Sequence, residues 1–158
     1  MKVLFISKDK NSYEVLNEVA SLSQSEVIMV ENLEEAKNII ETGKDIHGII
    51  ASPKIDNIPT LQLLSILKRN EQLKDIPFLI LGENLTKEDV EYYKAMGVTE
   101  VFEIPFNPLE VFLIITATLK DTKGEEVVKQ ILHEAKKDKS IFIKLLELIK
   151  KLFGIKSE

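Results

Sequence analysis

Gly97-Val98-Thr99-Glu100-Val101-Phe102-Glu103-Ile104-Pro105-Phe106 decides the fold. Gly97 is a helix stop, because glycine accepts the left-handed turn that closes a helix. Glu100 to Ile104 reads as a short strand. Pro105 ends it, and Pro108 sits where a helix starts, since the first helical turn needs no N–H from its proline. Helix, strand and helix therefore follow one another through very short loops.

The same rhythm extends towards the amino terminus. Pro77 opens a strand at Phe78-Leu79-Ile80-Leu81. Thr86 caps the following helix, and Glu88 and Asp89 fall in its first turn, where the helix dipole favours acid. Before Phe78, a helix is expected from about Pro59 to Asn70, with Leu61, Leu64 and Leu67 at helical spacing. Ile46 to Ala51 reads as a strand closed by Pro53. Val3-Leu4-Phe5-Ile6 and Val27 to Val30 are two more apolar runs of strand length. Asn11 or Ser12 is the expected cap of the first helix. Asn32 caps the second, which Gly43 ends. A fifth helix runs from Pro108 to about Leu119. Five strands alternating with five helices imply a parallel sheet covered on both faces, with any ligand site at the carboxyl ends of the strands.

Composition narrows the function classes. The 158 residues are 44% hydrophobic and 30% charged, as in a soluble globular chain with one domain and a modest extension. Lysine and glutamate dominate the charges, a weak thermophile signal. A net charge of −5 argues against wholesale nucleic-acid binding. With no cysteine, disulfides, thiolate catalysis and cysteine-held metals are excluded. His47 and His133 are far apart and show no metal-ligand spacing. The run at the start is too short for a signal peptide, and Val111 to Ile115 is too short to span a bilayer, so a cytoplasmic location is expected.

Over roughly residues 1 to 120 the chain resembles the bacterial response-regulator receiver domain. The Gly97–Phe106 segment is similar to that family's "GADDYLTKPF". Lys74-Asp75-Ile76-Pro77-Phe78-Leu79-Ile80-Leu81 is similar to its run into the fourth strand, and Gly48-Ile49-Ile50-Ala51-Ser52 to its "GIILD". The resemblance implies a doubly wound, flavodoxin-like five-stranded parallel sheet of order 2-1-3-4-5. It also implies places for the family's phosphorylation machinery. The magnesium-binding acid pair falls on Ser7 and Lys8, and the phospho-accepting aspartate on Ser52. The hydroxyl residue after strand four falls on Gly82, the switch aromatic on Val101, and the lysine before a cis-proline on Ile104, with Pro105 as that proline. All six functional positions have thus changed. Magnesium needs hard, partly anionic oxygen ligands, and Ser52 has no carboxylate from which to form an acyl phosphate. No cofactor and no metal is expected. Reading register one residue earlier would put Ala51 at the acceptor position, with the same result.

Individual residues carry competing readings. Lys8 is either a solvated strand-end lysine or a built-in substitute for the metal, paired with Asp9, Asp56 or Glu83. Ser52 with Lys8 invites a Ser-Lys nucleophile, but no nucleophile-elbow pattern accompanies it, and a serine ending a strand before proline is usually a turn residue. Val101 is most simply sheet packing, His47 an ordinary strand position and His133 a helix-surface one. Of Tyr92 and Tyr93, on a helix the family uses as a partner surface, one is expected in the core and the other at its rim.

Beyond Lys123-Gly124 the pattern changes, so residues 1–122 are expected to form the receiver-like domain and 123–158 a C-terminal amphipathic helical extension. One helix reads from Glu125 to Lys137 and a second from about Ser140 to Phe153. In the second, Ile141, Phe142, Leu145, Leu148, Ile149, Leu152 and Phe153 make an apolar stripe, widened by Ile143 and Leu146. From 139 onward five lysines stand against two glutamates, a net of +3, which leaves −8 for the rest of a chain totalling −5. Packing on its own domain or self-association as a homodimer is favoured, then a protein partner, then an anionic membrane. The leading expectation is a degenerate receiver acting as a phosphorylation-independent interaction module, not an enzyme. The competing class is a small-ligand or enzymatic α/β domain using the strand-end crevice.

Overall fold

The computed structural model describes residues 1–22, 24–42 and 45–118, together with His133, Asp138 and Ile143. In chain order the elements are β1 (Lys2–Ile6), α1 (Lys10–Leu22), β2 (Glu26–Val30), α2 (Leu33–Thr42), β3 (Gly48–Ala51), β4 (Lys54–Ile55), β5 (Ile58–Pro59), a 3₁₀ turn (Thr60–Gln62), α3 (Leu63–Lys68), β6 (Phe78–Gly82), α4 (Lys87–Ala95), β7 (Glu100–Glu103) and α5 (Pro108–Ala117). Five strands form one sheet in the order β2-β1-β3-β6-β7, every pair parallel. Counted along that sheet alone, this is the 2-1-3-4-5 order of a doubly wound fold.

Burial explains why the strands read as continuous apolar runs. Successive side chains of a strand point to opposite faces, and here both faces are covered. Val3 and Phe5 enter one core with Leu16, Val19, Ile50, Leu79, Phe112 and Ile115, beneath α1 and α5. Leu4 and Ile6 enter the other with Ala36, Ile40, Ile49, Leu63, Leu67 and Phe78, beneath α2 and α3.

The helix starts follow their capping chemistry. The Asn32 carboxamide oxygen accepts from Glu35 N–H at 2.8 Å. Thr86 and Asp89 make a reciprocal capping box. Asn107 caps α5, with Pro108 just inside it. At α1 the cap is Asp9, ahead of the expected Asn11 or Ser12. Its carboxylate accepts from Ser12 N–H at 3.2 Å and Ser12 Oγ at 2.6 Å, so the helix begins at Lys10 and Ser12 is buried inside its first turn. Gly97 closes α4 at φ +110°.

Two further departures lie around β3. The strand starts at Gly48, two residues later than expected, although His47 still joins its edge. His47 N–H donates to Lys2 C=O at 2.8 Å, and its ring Nδ1 accepts from Lys2 N–H at 3.0 Å. The long helix expected from Pro59 is shorter, running Leu63–Lys68 behind the 3₁₀ turn. Residues 54–59 form instead a small antiparallel hairpin, β4–β5. Asp56 and Asn57 at its tip have φ of +51° and +64°, the signature of a two-residue turn whose twist matches paired strands.

α4 has no buried residue. It packs on the edge strand β7, which leaves Tyr92 exposed and Tyr93 only half-buried, so neither tyrosine is a core residue. Their ring centroids are 5.9 Å apart. Burial, then Asp89 and Tyr92, pushes the Tyr93 hydroxyl above its ordinary value. His133 and Ile143 are helical and exposed, and Asp138 is at a bend. Ile141, Phe142, Leu145, Leu148, Ile149, Leu152, Phe153 and the boundary expected at 122/123 lie outside the described residues.

Candidate site at the carboxyl ends of the strands

Gly82 ends β6, and Ser7, Lys8, Ser52, Glu83 and Ile104 follow the carboxyl ends of β1, β3, β6 and β7, so the parallel sheet brings them to one rim. Ser7 is 1% exposed, and its N–H donates to Val30 C=O, extending the β1–β2 ladder by one residue. Its Oγ accepts twice, from Asp9 N–H at 3.0 Å and from Ser52 Oγ at 2.6 Å. Ser52 N–H in turn donates to Ile6 C=O at 3.0 Å, and Ser52 C=O accepts from the buried Thr60 hydroxyl at 2.5 Å. The two serines therefore form a closed polar seam across the mouth of β1 and β3. A hydroxyl in this state is a neutral hydrogen-bonding group. The Ser52 hydroxyl donates its hydrogen bond to the Ser7 oxygen and not to a base.

The β4–β5 hairpin carries Asp56 to the same rim. Lys8 Nζ lies 2.5 Å from Asp56 Oδ1. Both side chains are more than half exposed, at 56% and 61%, so solvent screens the pair and its contribution is about 0–1 kcal/mol. Of the three carboxylates expected near Lys8, the structure pairs it with Asp56. Asp9 is turned to its capping role, and Glu83 lines a groove with Asp9, Ile104 and Pro105.

Gly82 ends β6 where no Cβ has room. A Cβ there would stand 2.8 Å from Pro53 Cγ, 3.1 Å from Pro53 Cδ and 3.3 Å from Leu85 Cδ2. The Pro53 ring thus occupies the space above the strand end, and glycine at 82 is what allows it to sit there. Ile104 N–H donates to Gly82 C=O at 2.9 Å, and the Ile104–Pro105 peptide is cis. Val101 pairs with Ile80 in the ladder and packs half-buried among the residues of the α2–α3 core. Ile104 packs towards the α1–α5 core.

The donor set does not fit magnesium. That ion takes near-octahedral hard oxygens, usually with one or two carboxylates. Among the described residues no group of three or more His, Asp or Glu side chains could hold a metal. Around the seam, both Ser7 lone pairs are engaged, Asp9 is committed to α1, and the Lys8 ammonium brings positive charge to the same rim.

Beside the seam lies a groove of about 240 Å³ lined by Asp9, Asn11, Ser12, Val15, Glu83, Ile104, Pro105 and Phe106. It had no signature in the sequence, because it is assembled from the first turns of α1, the end of β6 and the β7–α5 loop. The role of Pro53 and the capping role of Asp9 were equally silent. The hairpin did have a signal in Asp56-Asn57 between two isoleucines, since both residues tolerate positive φ.

Among the described residues no helix is long and apolar enough to cross a membrane. No family model matches the sequence, and neither does any curated protein. Solved structures do match. Chemotaxis protein CheY4 of Vibrio cholerae is 20% identical with a TM-score of 0.63, over 75% of this chain and 98% of that one. The non-phosphorylated HemR receiver domain of Leptospira biflexa is 19% identical at 0.62, over 77% and 95%. The receiver domain of sensor histidine kinase PA1611 from Pseudomonas aeruginosa, which has a magnesium ion coordinated in its active-site cleft, is 16% identical at 0.61, over 73% and 93%. These likenesses show that the chain has the fold of a response-regulator receiver domain.

Proposed function

We propose that the protein is a degenerate receiver that signals by contact and accepts no phosphoryl group, working in the cytoplasm as a homodimer or with a protein partner. The observation that carries this reading is the seam itself. Where the receiver resemblance expects a reactive carboxylate, Ser52 is hydrogen-bonded to a buried serine, and the neighbouring strand end is filled by Pro53 against Gly82. Lys8 supports it by holding a cation at the position the resemblance gives to the metal site, tied to Asp56. The reading assigns no catalytic activity.

The test is incubation of the full chain with acetyl phosphate and magnesium, followed by intact-mass and peptide-mass analysis. The expected result is no phosphoryl adduct. An adduct on any residue of 1–122 would overturn the proposal. Sedimentation of the same sample reads the oligomeric state, for which a dimer is expected.

A further inference from the structure

At the amino ends of the strands, the pole opposite the seam, one side chain stands in for a backbone group. The paired residues of β1 and β3 begin with Val3 and Gly48. One residue earlier on each strand, the contact is made by His47 through both its backbone and its ring. His47 N–H donates to Lys2 C=O at 2.8 Å, and the ring Nδ1 accepts from Lys2 N–H at 3.0 Å. A single half-buried histidine thus holds both main-chain groups of Lys2.

The second of these bonds fixes the state of the ring. A nitrogen that accepts turns its lone pair to the donor and carries no hydrogen, so the ring holds its hydrogen on Nε2. An imidazolium carries hydrogen on both nitrogens. Its Nδ1–H would face Lys2 N–H, donor against donor. Proton uptake by the ring and its contact with Lys2 therefore exclude each other. The ordinary pKa of histidine, about 6.5, brings such an exchange within the physiological range.

Charged groups of both signs stand around the ring. A concavity of about 220 Å³ is lined by His47 together with Met1, Lys2, Gln24, Glu26 and Asp45. Glu26 opens β2 and Asp45 precedes β3, and both are exposed. Either carboxylate is a suitable acceptor for an imidazolium. Lys2 and the Met1 amine bring positive charge to the same wall. These charges tune the pH at which the ring takes its proton. They do not lift the exclusion, which follows from the one lone pair on Nδ1.

We propose that His47 is a proton-operated clasp, which when neutral closes the start of β1 onto β3 and when protonated releases Lys2 N–H and turns to Glu26 or Asp45. The release frees one rung, at the opposite end of β3 from Ser52, and leaves the paired residues of the sheet in place. It gives the chain a response to acid that involves no phosphoryl group. The proposal stands apart from the reading of the rim, so neither fails with the other.

The test is a nuclear magnetic resonance titration of the isotope-labelled full chain from about pH 8 to about pH 5. At the alkaline end the His47 ring is expected to carry its hydrogen on Nε2. Through the ring's own midpoint the Lys2 amide resonance should shift. Its protection against hydrogen exchange, relative to an unstructured chain at the same pH, should fall about two- to tenfold, the worth of one hydrogen bond. His47→Asn offers a carboxamide oxygen in place of Nδ1 and cannot titrate, while Met1, Lys2, Glu26 and Asp45 remain. In that variant the Lys2 amide should keep its position and protection across the range. A ring hydrogen on Nδ1 at the alkaline end would overturn the proposal. So would a Lys2 amide that does not follow the ring, or a ring that takes up no proton in this range. The same amide response in His47→Asn would assign the effect to the surrounding charges and overturn it too. If His47→Asn fails to fold, the three readings on the unaltered chain decide the question.

Discussion

Along β1 the four residues Val3 to Ile6 are completely buried, alternating between two cores, while the next two, Ser7 and Lys8, leave the apolar layer altogether. The same division runs across the sheet. β3 and β6 are buried end to end, yet Ser52 and Glu83, just past their ends, are polar groups at a solvent-facing rim. Inside the sheet, side-chain volume and face are dictated by close packing. At the rim the side chains are less constrained, provided that buried polar atoms find partners and that packing leaves room, as it does not at Gly82. The order and register of the sheet are therefore set largely independently of the side chains at its strand ends.

Three experiments break or sharpen that contrast. Phe5→Ala removes a fully buried aromatic from the central strand and should cost about 3–5 kcal/mol, read as a fall in the urea midpoint with unchanged slope. A loss below about 1 kcal/mol would mean that the interior is no more constrained than the rim. Gly82→Thr drives a Cβ into Pro53 and should cost about 1–3 kcal/mol. Pro53→Ala in the same chain should recover much of that loss, a coupling that a double-mutant cycle measures. Additive effects would show that the proline ring does not set the residue at 82. Lys8→Ala, taken through a cycle with Asp56→Asn, should give a coupling of about 0–1 kcal/mol that shrinks with added salt. A coupling well above that range would show Lys8 to be a structural cation of the site, and none at all would leave it a solvated strand-end lysine.

The readability of the sequence follows the same division. The sheet was legible because buried parallel strands are continuous apolar runs, and three helix starts because Asn32 and Thr86 carry their caps in their own side chains and Pro108 fits a first helical turn. Sequence spacing could place Ser7, Lys8, Ser52, Gly82 and Ile104 at one rim, since topology alone brings strand ends together. It could not foresee that Ser52 would donate to Ser7, because that contact depends on two side-chain rotamers on separate strands. The hairpin at 54–59 was hidden for a different reason. Its ladder is two residues long, and the leucines that follow at helical spacing drew the helix forward to Pro59. Asp56 was therefore named as one partner of three, without the turn that presents it to Lys8.

The fit of Pro53 over Gly82 has a consequence for the sequences open to this chain. Any side chain at 82 puts its Cβ 2.8 Å from the proline ring, so a change there is tolerated only with a change at Pro53. The two positions, on the ends of separate strands, therefore have to vary as a pair. The interlock acts as a ratchet in sequence space, holding this part of the rim in its present form against single changes.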